Sequence, residues 1–572
     1  MKNTIKSKKL LWIIGLAMAA VFYLNSCDTS LEETPLDFLS SDNAYTTIAG
    51  IEQGIAGLHD KVRDDWFSTA GLGQSEFTIF RGLGTDVAFH GEDPASTSFP
   101  CNYETYLTAD NSDAENYWIG MYQLIQYANV LIEGINTADE SIWEDENDKN
   151  AYLGEAMFFR AYAYRFLASF FGDVPLVTEA ITSPKTDFVR TDTSEVYDQI
   201  EKDLEFGATY LPDRGEEEGY GRITQGAALH LLCEIYLTRK KYQDAVDVAT
   251  DLIENHGYAL MTERFGSTID VFGTGDVFLD LFANGNQNLA ENTENIWSVQ
   301  FEYGVTGDQS FPGERTWGPA YFRMGNTPDG YKAILGELID GSYTGYSDTL
   351  GRPVSWIRPT NYWVYDIWRS DWDNDIRNAK HNIKREIYFD NPESAYDGMV
   401  IDFSLYDESA GRDPIKDTCQ YIYPYLMKFT DPCNHQDNAA TSGGGWVYKD
   451  IYAMRLAETY LFRAEAYLKL NEFQLAADDI NAIRERAEAT PISASDVDEE
   501  AILDERAREL YGEECRHYVL RRFGCFVERV EEYNNNPKYP GLNVQDYNDL
   551  FPIPQSQIDL NVDAELTQNP GY

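Results

Sequence analysis

Tryptophan, tyrosine and arginine residues set among glycines and prolines are the part of this 572-residue chain best suited to chemistry. An aromatic ring face can pack on the apolar face of a ligand. A guanidinium donates a planar pair of hydrogen bonds to hydroxyls or to a carboxylate. Aromatic residues are 14% of the chain, with 39 Tyr, 29 Phe and 11 Trp, so those lying outside helical stripes are the ones to follow. In the stretch from Tyr303 to Arg323, Trp317 is followed by Gly318 and Pro319, and no periodicity explains it. It is the leading candidate for a stacking platform, with Tyr321 and Arg315 next. A second stretch, Phe80 to Tyr103, carries Arg81, Phe89, His90 and Tyr103, and Trp66 follows a helix end upstream. Asp86, in Gly84-Thr85-Asp86, reads as a turn cap. Trp118 falls on a helical stripe with Tyr122 and Ile125 and reads as core. Of Trp363, Trp368 and Trp372, one can contribute to binding while the others pack.

These residue types suit recognition, and a reaction would need more. A glycosidase needs two carboxylates at a defined separation. With 96 acidic residues such pairs occur everywhere and carry no signal. GxSxG, HExxH and P-loop patterns are missing. A surface glycoside hydrolase is therefore the second reading. A peptide-binding protein is the third, since aromatics serve peptides as well as sugars. No CxxC pair occurs and the seven histidines are scattered, so neither a metal nor a cofactor is expected. The net charge of −51 disfavours nucleic acid and anionic headgroups as partners.

Helical periodicity identifies the elements that must position these residues. Ala228, Leu231, Leu232, Ile235 and Tyr236 form one apolar stripe, and Ala245, Val248, Ala249, Leu252 and Ile253 form the next. Ala453, Leu456, Ala457, Tyr460, Leu461 and Ala464, then Phe473, Ala476, Ala477 and Ile480, make a second pair. Tyr236, Leu237, Tyr242 and Ala245 match Tyr467, Leu468, Phe473 and Ala476 in spacing, which is tetratricopeptide logic in a broken array. Further helices are expected over Asp42 to Lys61, Asn116 to Ile135, Tyr152 to Phe171 and around Leu503 to Tyr511. Gly172 and Pro175 stop the third of these. From 261 to 445 the pattern dissolves into loops and short β-like runs such as Asn295 to Phe301. The expected architecture is mostly α: a tetratricopeptide-like helical-pair scaffold with a long irregular loop and short-strand region packed on it. Its parts are an N-terminal helical portion over 41–260, the irregular region over 261–445 and a C-terminal helical pair over 446–572.

The N-terminus carries Lys2, Lys6, Lys8 and Lys9, then an apolar run from Leu10 to Leu24 that is too short to span a bilayer comfortably. It ends in Leu24-Asn25-Ser26-Cys27. Residues 1–26 read as a lipoprotein signal, with Cys27 as the lipidated first residue and 27–40 as an acidic tether. The blander alternative is an ordinary secretory signal with a chance cysteine. Removing 1–26 takes away four positive charges, giving −51 − 4 = −55. Of the other cysteines, Cys233 reads as a buried free thiol. Cys419 with Cys433, or Cys515 with Cys525, are open as disulfides.

Several segments resemble the SusD/RagB family of Bacteroidota outer-membrane lipoproteins. They include Gly154-Glu155-Ala156-Met157-Phe158-Phe159-Arg160-Ala161-Tyr162, running on to Phe171-Gly172-Asp173-Val174-Pro175. Gly221-Arg222-Ile223-Thr224-Gln225 and Arg455-Leu456-Ala457-Glu458-Thr459-Tyr460 follow. Glu505-Arg506-Ala507-Arg508-Glu509-Leu510, Phe551-Pro552-Ile553-Pro554 and Gln568-Asn569-Pro570-Gly571-Tyr572 complete the set in family order. After 511 the chain departs from the family's Gly-x-Arg-Trp-x-Asp-Leu-x-Arg. Arg516, Leu520 and Arg522 keep the frame, while the aromatic and the acid are replaced. The resemblance implies a surface glycan-binding protein sitting as a lid on a SusC-type TonB-dependent transporter, held to the outer membrane by lipid, with no catalysis.

Overall fold

A computed structural model describes residues 44–68, 81–266, 275–305, 309–339, 341–347, 349–407, 411–431 and 447–572. The signal, Cys27, the tether, Phe80 and Cys433 lie outside the described residues.

The helices stack side by side as α1 (Ile48–Val62), α2 (Ser112–Thr137), α3 (Glu146–Phe171), α4 (Thr193–Tyr210), α5 (Gln225–Thr238) and α6 (Tyr242–Asn255). The chain then leaves for the irregular region and returns as α7 (Leu456–Lys469), α8 (Phe473–Arg486), α9 (Glu499–Leu510), α10 (Arg516–Phe523) and α11 (Phe526–Tyr533). α7 packs directly against α6. Arg463 on α7 donates to Thr250 Oγ1 on α6 at 3.1 Å. The array broken in sequence is thus continuous in space, and residues 256–455 are an excursion from it. The two matched hairpins turn alike. Lys240 and Asn471 both adopt left-handed φ, 59° and 64°. Lys241 N–H reaches Tyr236 O, and Glu472 N–H reaches Tyr467 O, each at 2.8 Å. Asn tolerates this conformation better than Lys does. Lys240→Gly should therefore raise stability by about 0.5–1 kcal/mol in urea unfolding, less whatever the freer unfolded chain takes back.

α3 is buried nearly all round and starts at Asp145, whose carboxylate accepts from the Asn147 and Asp148 amides at 2.8 and 3.0 Å. Gly154 on α3 faces Gly207 on α4. A Cβ on Gly207 would stand 3.3 Å from Ala228 Cβ on α5, so the small residues set the close approach of three helices. α4 has no counterpart among the expected elements. α1 begins later than expected, with Thr47 capping Gly50 N at 3.2 Å.

Two antiparallel strand pairs tie the excursion to the helices. β2 (Asn295–Val299) pairs with β4 (Ile451–Arg455), which runs straight into α7. β1 (Ala88–His90) pairs with β3 (Ile357–Pro359), with Phe89 opposite Arg358. Beneath them lies a buried ionic network. Glu509 on α9 receives Arg377 at 3.0 Å, Arg455 at 2.6 Å, and Arg486. Arg377 also meets Asp375 at 2.7 Å and Glu505 at 2.8 Å. Cys515 and Cys525 both carry free thiols, correcting their expected pairing as an option. Cys515 precedes α10 and Cys525 precedes α11, each aligned with its own helix. Cys233 is a buried free thiol, and Cys419 is free as well.

Candidate functional site

The two candidate stretches meet. Gly91 and Glu92 amides donate to the Trp356 and Ser355 carbonyls at 3.3 and 2.6 Å. On the far side of the same strand, Val354 N donates to Arg315 O and Ser355 N to Gly318 O, at 2.9 and 3.0 Å. Segments 88–92, 351–359 and 313–323 therefore form one layered unit, with the middle segment bridging the outer two.

Within this unit burial sorts the residues differently from the sequence expectation. Trp317 is 2% exposed and cannot offer a face to a ligand. It belongs to an aromatic column: Phe429 at 5.4 Å, then Tyr511 at 4.9 Å, which stacks in turn on Trp363 at 4.2 Å. Gly512, at φ 81°, leaves the room this column needs: a Cβ there would come within 2.5 Å of Phe429. Tyr321 is fully buried and spends its hydroxyl on Gly351 O. Phe89 is fully buried beneath the Arg358 guanidinium, 5.0 Å from its ring. His90 is half-buried, and its Nδ1 accepts the Asp93 amide at 3.1 Å, closing a local turn. Trp66 lies edge-on to Tyr162 and Phe166 at 5.6 and 5.0 Å, and Arg81 is buried over Phe67 at 4.9 Å. Tyr103 is buried, its hydroxyl donating to Gly84 O at 2.8 Å. As a surface for ligand, then, Trp317, Tyr321, Phe89, Trp66, Arg81 and Tyr103 are corrected to packing roles by their enclosure.

Asp86 is corrected too. It is fully buried and takes Arg516 through both oxygens, at 2.9 and 2.7 Å, and Arg529 at 2.8 Å. Burial alone would raise its carboxyl, but the two guanidiniums hold it down at about 2. The turn capping falls instead to Thr85, whose hydroxyl donates to Gly82 O and accepts the Val87 amide. Arg516 and Arg522, which keep the family frame, are both ion-paired: Arg522 meets Glu465 at 2.8 Å.

Arg315 does reach the surface of the layered unit, with partners the sequence reading missed. Its guanidinium lies 5.5 Å over the half-buried Trp356 ring. Arg352 stands over Phe322 and Tyr346 at 5.6 and 5.4 Å, and Arg323 over Phe322 at 5.5 Å. Phe322 and Tyr346 meet edge to face at 4.7 Å. Glu92 fixes the arrangement, accepting from Arg323 at 2.7 Å and from the Trp356 indole at 3.2 Å. Partial burial, then the charges of Arg352 and Arg323, hold the Arg315 guanidinium below its ordinary pKa, with Glu92 opposing. The result is a tiled surface of half-buried rings with guanidiniums standing over them, Arg323 the most exposed. It suits flat sugar faces with equatorial hydroxyls or anionic substituents. Trp356 carries no signal in the sequence: it stands in the irregular region, with no periodicity around it.

A second aromatic surface stands apart. Tyr365 and Trp372 are 50% and 38% exposed and nearly parallel, 6.3 Å apart, with Arg385 4.3 Å over Trp372. Trp363 and Trp368 are core. Among the described residues no group of three or more His, Cys, Asp or Glu side chains is placed to hold a metal ion.

Residues 293–572 match the SusD family, and residues 83–237 match a family described as starch-binding and associating with the outer membrane. A SusD-like protein of Formosa agariphila is 24% identical over 96% of this chain and 98% of its own length. The starch-binding protein SusD of Bacteroides thetaiotaomicron is 26% identical over 73% of this chain and 72% of its own. The solved structure of a laminarin-binding SusD-like protein superposes with a TM-score of 0.65 at 23% identity, covering 92% of this chain and all of that one. The chain belongs to the SusD/RagB family.

Proposed function

We propose that this protein is a cell-surface glycan-binding lipoprotein that captures oligo- or polysaccharide and passes it to a SusC-type TonB-dependent transporter. The supporting observation is the ring-and-guanidinium surface built by Trp356, Phe322, Tyr346, Arg315, Arg323 and Arg352 on a chain of this family. Relatives named for starch and laminarin binding support the glycan class. Lipidation at Cys27 would place the body at the outer membrane, and the acidic 27–40 segment would let it swing. The protein binds without hydrolysis: the site joins three arginines to rings and offers Glu92 already engaged by Arg323 and Trp356.

The test is retention of the full chain in native gels cast with a panel of polysaccharides, with reducing ends assayed in parallel. Trp356→Ala should weaken retention by about tenfold or more, the equivalent of one lost stacking contact, with thermal unfolding little changed. Trp317→Ala should instead lower stability and leave the affinity of the folded fraction unchanged. Release of reducing ends, or retention only of oligopeptide, would overturn the reading. Cys27→Ala should free the protein from the membrane fraction.

A further inference from the structure

We infer that Tyr365 and Trp372 form a second glycan platform, separate from the tiled surface, which takes a further stretch of a long polysaccharide. The inference rests on the glycan-binding reading above and deepens it.

The backbone is bent at some cost to bring Trp372 out. Trp363 and Trp368 are core, and their indole N–H groups donate to Ala507 O and Trp363 O at 2.8 and 2.9 Å. The chain then turns at Arg369, whose φ of 41° and ψ of −122° strain any residue that carries a side chain. An ion pair with the buried Asp504, at 2.9 Å, holds the turn. Asp371 is pinned next, accepting from Arg484 at 2.6 Å and from the Thr490 amide at 3.1 Å. Trp372 follows and reaches the surface beside Tyr365. Strain of this kind persists only where its surroundings over-determine it, and it gathers at functional segments.

Arg385 ties the two rings together. Its guanidinium lies 4.3 Å from the Trp372 ring, donates to Val364 O beside Tyr365 at 3.0 Å, and donates to Asn378 Oδ1. Asn378 in turn donates to Trp372 O at 2.7 Å. Arg385 meets no carboxylate among the described residues, in a chain with 96 acids, and burial pushes it down to about 10. A charge placed so does little for the fold, and what it does hold is the pair of rings. The ring planes differ by only 10°. Among the described residues neither the Tyr365 hydroxyl nor the Trp372 indole N–H has a protein partner, so faces and polar tips are both left for a ligand. Asp366, Ser370, Asp373 and Asn374 are exposed around them. Two rings in a polar surround suit a sugar, apolar on its face and hydroxylated at its edge, whereas a protein partner needs a wider apolar core. Trp356 precedes Tyr365 by nine residues, at most about 30 Å of extended chain. A long polysaccharide held at one platform therefore meets the other at a raised effective concentration.

The test runs the full chain in affinity gels of amylopectin, laminarin, arabinoxylan, polygalacturonate and κ-carrageenan. Calorimetric titration follows, with a tetrasaccharide of each polymer retained. The titration should count two sites on the wild-type protein and one on Trp372→Ala or Trp356→Ala. Polymer retention should fall about tenfold or more in Tyr365→Ala and in Trp372→Ala, and further when Trp372→Ala is combined with Trp356→Ala. Trp372→Phe keeps a ring and should recover most of the retention. Thermal unfolding should stay unchanged in these variants, which separates lost binding from lost fold. Loss in Trp372→Ala with Trp356→Ala silent would uphold this platform and remove Trp356 from the proposed site. A single site with retention untouched in Tyr365→Ala and Trp372→Ala overturns the inference and leaves glycan binding at the tiled surface standing. A single site that needs both Trp356 and Trp372 overturns the separation of the two platforms. Retention of no polysaccharide at all overturns the glycan reading and this inference with it.

Discussion

Glu509→Ala should cost at least about 3–5 kcal/mol of stability and leave little folded protein at ordinary temperature. Its carboxylate is the shared acceptor of Arg377, Arg455 and Arg486, all essentially inaccessible to water. Burial would raise the Glu509 carboxyl, yet these guanidiniums and Lys428 hold it well below the carboxylate range, so it is ionised at every working pH. Removing it leaves three buried cations competing for Glu294, Glu505, Glu513 and Asp375, and an alanine-sized void among them. The loss should be cooperative across the molecule, because the network joins α8 and α9 to Arg377 of the excursion and to Arg455 at the start of α7. Glu509→Gln keeps two lone pairs and the volume, and should cost less, though still well over 1 kcal/mol. Asp187→Ala is the control: its pair with Lys185 is about half exposed, and its loss should leave the midpoint almost unmoved. Urea unfolding followed by circular dichroism measures all three, and a Glu509→Ala midpoint near that of the control would dismiss the network as a stability element.

The sequence made the helices legible and left this network hidden, for one physical reason. Periodicity reads apolar stripes, and α5 to α8 have them in full. Arg455, Arg486, Glu505 and Glu509 are residue types usually found at the surface, so a helix carrying them reads as half solvated. Glu505-Arg506-Ala507-Arg508-Glu509-Leu510 is wholly enclosed apart from a partly exposed Arg508. α4 does carry a legible pattern: Asp192 caps it, and Val196, Tyr197, Ile200 and Leu204 form its buried stripe. The site divides the same way. Arg315 could be selected from chemistry alone. Trp317 could not be told from Trp356, because no local pattern in an irregular segment says which ring will meet a partner. Trp317 is enclosed by Phe429 and Tyr511, which come from distant parts of the chain, and only tertiary packing brings them to it. Flanking glycine and proline signalled departure from regular structure, which is a different thing from exposure.

The second large expectation is acid unfolding between about pH 4.5 and pH 2, from the buried carboxylates of the loop leading into β1 and of α9. Asp86 and Glu505 are both held at about 2, burial being outweighed in each by adjacent arginines. In the unfolded chain such groups titrate near their ordinary values of about 3.9 and 4.3. A depressed folded pKa means that the unfolded state binds protons more readily. The stabilisation is therefore complete above the unfolded value and drains away as pH falls toward 2. Each group accounts for roughly 2–3 kcal/mol by this linkage, so the pair approaches the whole net stability of a typical domain. His517 works in the same direction from a different cause. Burial, then the neighbouring Arg521 charge, hold it down at about 3, so the folded imidazole stays neutral while the unfolded one takes a proton near pH 6.5. Stability should accordingly begin to slope below pH 6.5 and fall steeply below 4.5. Asp86→Asn should flatten the steep part and lower the plateau at neutral pH, since its neutral amide no longer balances Arg516 and Arg529. Because Asp86 anchors the loop that leads into β1, and β1 carries Glu92 to the tiled surface, glycan affinity should decline along the same curve as the fold. A binding profile that collapsed well above pH 6.5, with the fold intact, would assign the titrating group to the ligand surface and remove Asp86 from that role.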